Sequence, residues 1–162
     1  MATCYFILGS NLGDRRRNLE EATMAIARSI GKISRQSAIY ESEPWGYHDT
    51  MSYYNQVIIV ETDLPPQHCL EMALNIEKGL GRRRGAMRYE ARVIDIDILF
   101  YNKEIIQTRD LIIPHPEIQK RRFVLEPLNE LMPQFEHPVL HDEISLLLNK
   151  CDDRCWVKCL ES

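Results

Sequence analysis

The chain has 162 residues, of which 44% are hydrophobic and 27% are charged, and its formal net charge is −4. This composition is typical of a soluble globular domain, and the negative net charge disfavours a protein that binds nucleic acid or membrane surfaces in general. No apolar run approaches the roughly 20 residues of a membrane span, the N-terminus lacks a signal-peptide pattern, and the five cysteines are an odd number, so a cytoplasmic protein is expected.

The first half of the chain reads as strand, helix, strand, strand. An apolar strand is predicted at residues 4–8, and Asp14 can cap a helix over residues 15–30, where apolar residues recur at helical spacing. Residues 33–43 and 54–62 are typical of two extended strands joined by a loop.

A second helix and a further strand complete this pattern. Pro65 and Pro66 favour a helix start, and the helix extends to about residue 80. An Arg/Gly segment at 81–92 then leads into a strand at 92–101. The order β-α-β-β-α-β predicts an α+β protein with a ferredoxin-like arrangement, in which a mostly antiparallel sheet carries two helices on one face.

The remaining residues are interpreted as a C-terminal elaboration. A short strand is expected near 104–107, helical pieces at 117–131 and 143–149, and a last strand at 155–160. No internal repeat or low-complexity linker interrupts the sequence, so residues 1–162 are expected to form a single domain.

The stretch "RVIDIDILFY" at 92–101 places two carboxylates inside a core-type strand. Side chains alternate faces along a strand, so Asp95 and Asp97 point the same way, with Cα atoms about 6.5 Å apart, opposite Ile94, Ile96 and Ile98. They could lie on a solvated face and pair with arginines. Alternatively, two such carboxylates can hold or bridge Mg²⁺ ions that also bind phosphate oxygens.

Five arginines precede this acidic pair within eleven residues, in the segment "GRRRGAMRYEAR". The guanidinium group is planar, permanently charged and suited to phosphate, and the two glycines would let the segment close as a lid. The segment could also be an ordinary solvated basic loop. Beside the acidic pair it indicates phosphoryl transfer, although the sequence has no P-loop motif.

Three further regions carry candidate residues. The loop "ESEPWGYHDTMSYYN" offers an aromatic residue, Trp45, that would suit a flat heterocycle or simply cover the core edge. In "IPHPEIQKRRFV", His115 follows a proline turn and precedes a basic pair. Cys151, Cys155 and Cys159 are spaced by four, which allows a zinc site, but free thiols are the simpler interpretation.

Together these segments resemble the 6-hydroxymethyl-7,8-dihydropterin pyrophosphokinase family of folate biosynthesis. The resemblance covers most of residues 5–130 at compatible order and spacing, and none of the tail after about 140. It is carried by "GSNLGDR" (9–15), "YESEPWG" (40–46), "YYN" (53–55), "IEKGLGRRR" (76–84), "ARVIDIDILFY" (91–101) and "IPHPEIQKRRFVLEPL" (113–128).

The resemblance implies a reaction in which the pyrophosphoryl group of ATP moves to the pterin hydroxymethyl oxygen and AMP leaves. It implies two Mg²⁺ ions on Asp95 and Asp97, with Arg82 and Arg92 as catalytic residues on the polyphosphate. It also implies ATP contacts from Leu70, Glu77, Arg84, Arg88, Ile98, His115 and Arg121, and pterin contacts from Ser42, Trp45, Tyr53, Asn55 and Phe123. Departures from familiar members at Leu74, Tyr89, Asp110 and Pro116 concern ATP contact and lid closure.

Two other functional classes share some of these features. A ferredoxin-like RNA-binding module would present aromatic residues on its central strands and a basic surface, whereas this chain is acidic. A nucleotidyltransferase or nuclease would use the same pair of aspartates, but such enzymes usually need a third carboxylate nearby. The expected partners are therefore two small molecules, ATP and the pterin, with no nucleic acid and no membrane, and a monomer is expected.

Overall fold

The computed structural model describes residues 1–44, 51–81 and 93–160. Within these ranges most strands and helices follow the order that the sequence pattern predicts, and a short 3-10 turn at Ile118–Lys120 precedes the third helix. The strands are β1 Ala2–Ser10, β2 Gly31–Gln36, β3 Tyr40–Ser42, β4 Tyr53–Thr62, β5 Asp95–Tyr101, β6 Ile106–Gln107, β7 Ile112–Ile113 and β8 Val157–Cys159, and the helices are α1 Arg15–Ser29, α2 Pro66–Gly81, α3 Arg122–Leu131 and α4 Ile144–Lys150.

The main sheet is antiparallel throughout, with β1 and β4 at its centre. Its order is β5-β1-β4-β3-β8, and β2 also pairs with β4. On β1, Gly9 lies opposite Asn55 of β4 and opposite Asp95 of β5. This register brings the ends of three strands together at one point of the sheet.

Helices α1 and α2 cover one face of the sheet, as the sequence pattern predicted. Apolar residues of β1, β4 and β5, such as Phe6, Ile58 and Ile96, pack there against Leu19 of α1 and Cys69 of α2, all nearly inaccessible to solvent. Asp14 caps α1, because its side chain accepts a hydrogen bond from the amide of Arg17 at 3.1 Å.

Helices α3 and α4 cover part of the opposite face, so the protein has three layers. Ile7, Val57 and Leu99 point to this side and pack against Leu125 of α3 and Ile144 of α4. Truncating a fully buried leucine such as Leu125 typically costs about 2–5 kcal/mol, so this second core contributes substantially to stability. Gly9 itself lies outside this core.

The extended segment at 33–43 was predicted as one strand, and that prediction was wrong. It forms two strands, β2 and β3, with a break at Ser37. There the Val57 amide donates to the Ser37 hydroxyl at 3.0 Å instead of to a carbonyl, and the Ala38 amide donates to Glu130 of α3 at 3.1 Å. Side-chain oxygens therefore replace part of the regular ladder at this position, where the Ser37 amide still donates to the Val57 carbonyl at 2.9 Å. Among the described residues, no helix is long and apolar enough to cross a membrane.

The buried residue His137 gives the fold a predicted dependence on pH. Its Nδ1 accepts hydrogen bonds from the amides of Val139 and Leu140 at 3.1 and 3.0 Å, so Nδ1 must be deprotonated there. Burial of the ring lowers the pKa of His137, and the neighbouring His141 lowers it further.

Because the unfolded chain binds this proton more readily, stability is complete above the unfolded pKa of about 6.5 and declines as the pH falls towards the lower folded-state value. We expect the melting temperature to fall on acidification, and the fall to be shallower in His137→Asn, whose amide oxygen accepts hydrogen bonds without titrating. Thermal unfolding between pH 7.5 and 5 measures this. The exposed His68→Gln serves as the control with the wild-type slope, and an unchanged slope in His137→Asn would contradict the prediction.

Candidate active site

A cleft of about 390 Å³ opens on the part of this sheet face that α3 and α4 do not cover completely. Residues from five elements of the fold and from the turn before α3 meet there, and the register around Gly9 brings three of these elements, β1, β4 and β5, together. The residues that line it are Ile7, Gly9, Ser42, Tyr53, Asn55, Asp95, Asp97, Arg121 and Phe123.

One end of the cleft is acidic. Asp95 is half-buried and Asp97 is exposed, and both line the cleft, whereas Ile94, Ile96 and Ile98 are buried in the first core on the opposite face. The alternation predicted from the sequence is therefore confirmed. Among the residues that the structure describes, no group of three or more histidine, cysteine, aspartate or glutamate side chains could hold a metal ion.

The other end of the cleft carries amide and hydroxyl groups. The buried Asn55 donates from Nδ2 to the Tyr40 carbonyl at 3.0 Å and to the Ser42 hydroxyl at 2.9 Å. A backbone carbonyl can only accept, so these bonds fix which side-chain atom of Asn55 is the nitrogen. The Asn55 Oδ1 consequently points towards the cleft side of Gly9 as an acceptor.

Gly9 forms the floor between the two ends. A Cβ at this position would stand 3.4 Å from Asn55 Oδ1 and 3.6 Å from Cδ1 of Tyr53. Any larger side chain would project into the cleft between the amide group and the carboxylates. Glycine is therefore needed at this position because it leaves the cleft open, and not because the backbone adopts an unusual conformation.

The start of α3 supplies the third wall. Arg121 precedes the helix, Phe123 lies in its first turn, and the guanidinium of Arg121 stands 5.7 Å from the centroid of the Phe123 ring. This places a cation and an aromatic face beside the acidic and amide ends of the cleft.

His115 lies close to this wall but does not line the cleft. Its Nδ1 accepts the Glu117 amide at 3.1 Å. Burial lowers the pKa of His115, an effect that Asp97 and Glu117 oppose and Arg121 reinforces. The ring is therefore neutral near pH 7, with its proton on Nε2.

Three other predicted ATP contacts do not line the cleft. Ile98 is 5% exposed within the first core, and Leu70 is half-buried against the same core. The Glu77 carboxylate accepts a hydrogen bond from the backbone amide of Ile96 at 2.7 Å, so it pairs a backbone N–H group of the edge strand β5. The predicted residues Trp45, Arg82, Arg84, Arg88 and Arg92 lie outside the described residues.

The sequence reasoning did not assign roles to Gly9 or to Arg15. Arg15 donates to the Ser52 carbonyl at 2.9 Å and to its hydroxyl at 2.8 Å, and its guanidinium stacks over the Tyr54 ring at 3.9 Å. The Ser52 hydroxyl donates in turn to Glu41. The only sequence signal was the "GSNLGDR" segment itself, which contains both residues without indicating their contacts.

The chain is similar to proteins of known activity. Residues 5–133 match the model of the family described as 7,8-dihydro-6-hydroxymethylpterin-pyrophosphokinase. The 2-amino-4-hydroxy-6-hydroxymethyldihydropteridine pyrophosphokinase of Bacillus subtilis is 41% identical over 133 residues, covering 82% of this chain and 79% of that protein. The Aquifex aeolicus protein of the same name is 39% identical, covering 86% of each chain.

Larger proteins contain a similar segment. The folic acid synthesis protein FOL1 of Dictyostelium discoideum is 43% identical over 85% of this chain, which spans 20% of that protein. Among solved structures, an HPPK-DHPS in complex with substrates matches with a TM-score of 0.73 at 17% identity, covering 91% of this chain and 43% of that one. Plasmodium falciparum HPPK-DHPS matches with a TM-score of 0.73 at 19% identity, and this chain spans 44% of it. These two structures support the fold.

Proposed function

The chain belongs to the 7,8-dihydro-6-hydroxymethylpterin-pyrophosphokinase family, and from this premise we propose which residues carry out its reaction. The enzyme transfers the pyrophosphoryl group of ATP to the hydroxymethyl oxygen of 6-hydroxymethyl-7,8-dihydropterin and releases AMP, in folate biosynthesis. The observation that carries the assignment of residues is the cleft around Gly9, with carboxylates at one end and amide, hydroxyl and aromatic groups at the other.

The acidic end is proposed to bind magnesium. Asp95 and Asp97 supply two carboxylates on one sheet face, and Mg²⁺ typically takes one or two protein carboxylates together with phosphate oxygens and water. The residues present therefore fit two Mg²⁺ ions that ATP itself helps to hold. When bound, the ions would neutralise negative charge on the polyphosphate.

ATP is proposed to extend from this acidic end along the start of α3. Arg121 lines the cleft, and the neutral ring of His115 has an Nε2 proton to donate to a phosphate or ribose oxygen. Arg82 and Arg92 are proposed to stabilise charge on the transferred group, and Arg84 and Arg88 to close over the nucleotide. Contacts from Leu70, Glu77 and Ile98 remain family-based proposals.

The pterin is proposed to lie at the amide end. Asn55 Oδ1 can accept from the amino or ring N–H groups of the pterin, and Ser42 and Tyr53 border the same space. Phe123 offers an aromatic face on one side, with Trp45 proposed on the other. A site built to form these hydrogen bonds rejects pterin analogues that lack the matching polar groups, because the polar atoms of the site would then be left unpaired.

Identifying the nucleotide product tests this function. The protein is incubated with ATP, Mg²⁺ and 6-hydroxymethyl-7,8-dihydropterin, and the nucleotides are separated by chromatography. AMP is expected in amounts equal to the pterin diphosphate formed. ADP as the nucleotide product would contradict pyrophosphoryl transfer.

We expect Phe123→Ala to weaken pterin binding at least about fivefold, because an aromatic stack contributes roughly 1 kcal/mol beyond the area it buries, and each 1.4 kcal/mol is tenfold. Calorimetric titration with the dihydropterin in the presence of a non-hydrolysable ATP analogue measures this. Phe123→Leu is the control that retains apolar volume without the ring. Wild-type affinity in both variants would count against stacking.

Further proposals concern organisation and location. The order β5-β1-β4 with β2 and β3 beyond β4, and helices α1 and α2 on one face, supports a ferredoxin-like core elaborated at its C-terminal side. We take residues 1–162 as one domain that acts as a monomer. The cysteines among the described residues are free thiols, which supports the proposal that the protein is located in a reducing cytoplasm.

A further inference from the structure

The C-terminal tail, residues 151–160, lies beside the cleft although the family match ends at residue 133. Its strand β8 pairs with β3, so that Val157 lies opposite Ser42. Next to this pair, the Trp156 amide donates to the Glu43 carboxylate at 2.8 Å and the Glu43 amide donates to the Trp156 carbonyl at 3.3 Å. The tail therefore holds the strand that carries Ser42.

The same tail also holds the start of α3. The Asp153 carboxylate accepts the Arg122 amide at 2.9 Å through Oδ2, and its Oδ1 accepts the Cys155 amide at 2.9 Å. Burial alone would raise the pKa of Asp153, but these amide hydrogen bonds outweigh it, so the pKa lies below its ordinary value. The carboxylate is thus held ionised at the positive end of the helix.

This arrangement replaces a local helix cap. The first amides of a helix have no intrahelical partner, and the residue before the helix usually supplies a side-chain acceptor. Here that residue is Arg121, which makes no capping hydrogen bond and whose side chain lines the cleft instead. Asp153, 31 residues further along the chain than Arg122, supplies the acceptor from outside the helix.

The side chain of Arg122 completes the attachment. Its guanidinium donates to the Asp153 carbonyl and to the Cys151 carbonyl, both at 3.2 Å. Arg122 is therefore fixed to the tail, while its neighbours Arg121 and Phe123 line the cleft. Consecutive residues at a helix start are rigidly related, so fixing Arg122 also fixes the directions of its neighbours.

We propose that Asp153 is a positioning residue for the reaction: by capping α3 from the tail, it holds Phe123 and Arg121 across the cleft from Ser42 and Asn55. This role rests on the proposed binding of the pterin at that end of the cleft. Without the cap the first turn of α3 loosens, and the Phe123 ring no longer occupies one orientation before the substrate arrives.

Steady-state kinetics of Asp153→Ala tests this role. We expect the KM for the dihydropterin to rise about tenfold while kcat changes less than about threefold. The variant loses the fixed orientation of the Phe123 ring, whereas the contacts to the transferred pyrophosphoryl group are retained. Asp153→Asn retains one acceptor oxygen and is expected to restore most of the affinity. Asp152→Ala removes an exposed carboxylate one residue earlier and should behave as the wild type.

Calorimetric affinity for the dihydropterin and the melting temperature are measured on the same variants. A lowered melting temperature with unchanged pterin KM and affinity would show a purely structural role and overturn the proposal. If Asp153→Ala does not fold, Asp153→Asn decides, since its KM for the dihydropterin must then exceed that of the wild type. A wild-type protein that releases no AMP would count against the reaction itself, whereas normal AMP release with unchanged pterin KM in Asp153→Ala overturns only the positioning role.

Discussion

Asp97→Asn is expected to reduce kcat at least about a thousandfold while the protein remains folded. A bound metal ion typically contributes several kcal/mol of charge stabilisation in the transition state, and a loss of about 4 kcal/mol corresponds to this factor. Asp97 is exposed and lies on the same sheet face as Asp95, so removing its charge relieves repulsion between like charges. The melting temperature without metal should therefore be unchanged or raised.

Turnover is measured as AMP release at saturating ATP and dihydropterin over a range of Mg²⁺ concentrations. Asp63→Asn, an exposed aspartate after β4 and outside the cleft, is the matched control and should retain wild-type kcat. Calorimetry with Mg²⁺ and a non-hydrolysable ATP analogue provides a second measurement, in which metal binding should weaken in Asp97→Asn only. Wild-type kcat in Asp97→Asn would remove the basis for the metal site.

Gly9→Val is expected to lower kcat/KM for the dihydropterin about a hundredfold, the effect of a misplacement of roughly 1 Å in a reacting complex. The Cβ of any residue at this position contacts Asn55 Oδ1 and Tyr53, so the additional methyl groups of valine must project into the cleft. Valine is favoured in strands, so β1 should form normally. Gly9→Ala should show the same effect at about tenfold, because only one methyl group is added.

Gly79→Ala is the matched control for this pair of variants. A Cβ at Gly79 meets no atom within 4 Å, and the residue lies within α2. Alanine there should retain activity and stabilise the protein by about 0.5–1 kcal/mol, since glycine inside a helix is unfavourable. Retention of wild-type kcat/KM in Gly9→Val, measured beside this control, would mean that the floor of the cleft is not part of the substrate site.

Local patterns predicted the elements that hold the acidic end. The alternation of Asp95 and Asp97 with isoleucines set their common face, and the apolar spacing after Asp14 set α1, because both follow from backbone geometry alone. The break at Ser37 was not predicted. It depends on acceptors that come from Glu130 and from the Ser37 hydroxyl opposite Val57, which no local pattern contains.

The C-terminal tail shows most clearly that local sequence patterns do not predict contacts between distant segments. Its three cysteines at spacing of four invited a metal hypothesis, yet the residue that connects it to the cleft is Asp153, which no motif singled out. A carboxylate that caps a helix from a distant segment leaves no periodic signal, because the contact exists only after the segments have packed. The same holds for Gly9, whose importance lies in the atoms facing it.

The amino-acid order by itself determined most of the succession of strands and helices, the shared direction of the two aspartates and, through its motifs, the family and its reaction. Three-dimensional packing decided that α3 and α4 cover only part of the second sheet face, that the uncovered part becomes the cleft, and that the tail fastens two of its walls. The physical reason is that periodicity and capping act over a few neighbouring residues, whereas a cleft is formed by surfaces that meet from distant parts of the chain.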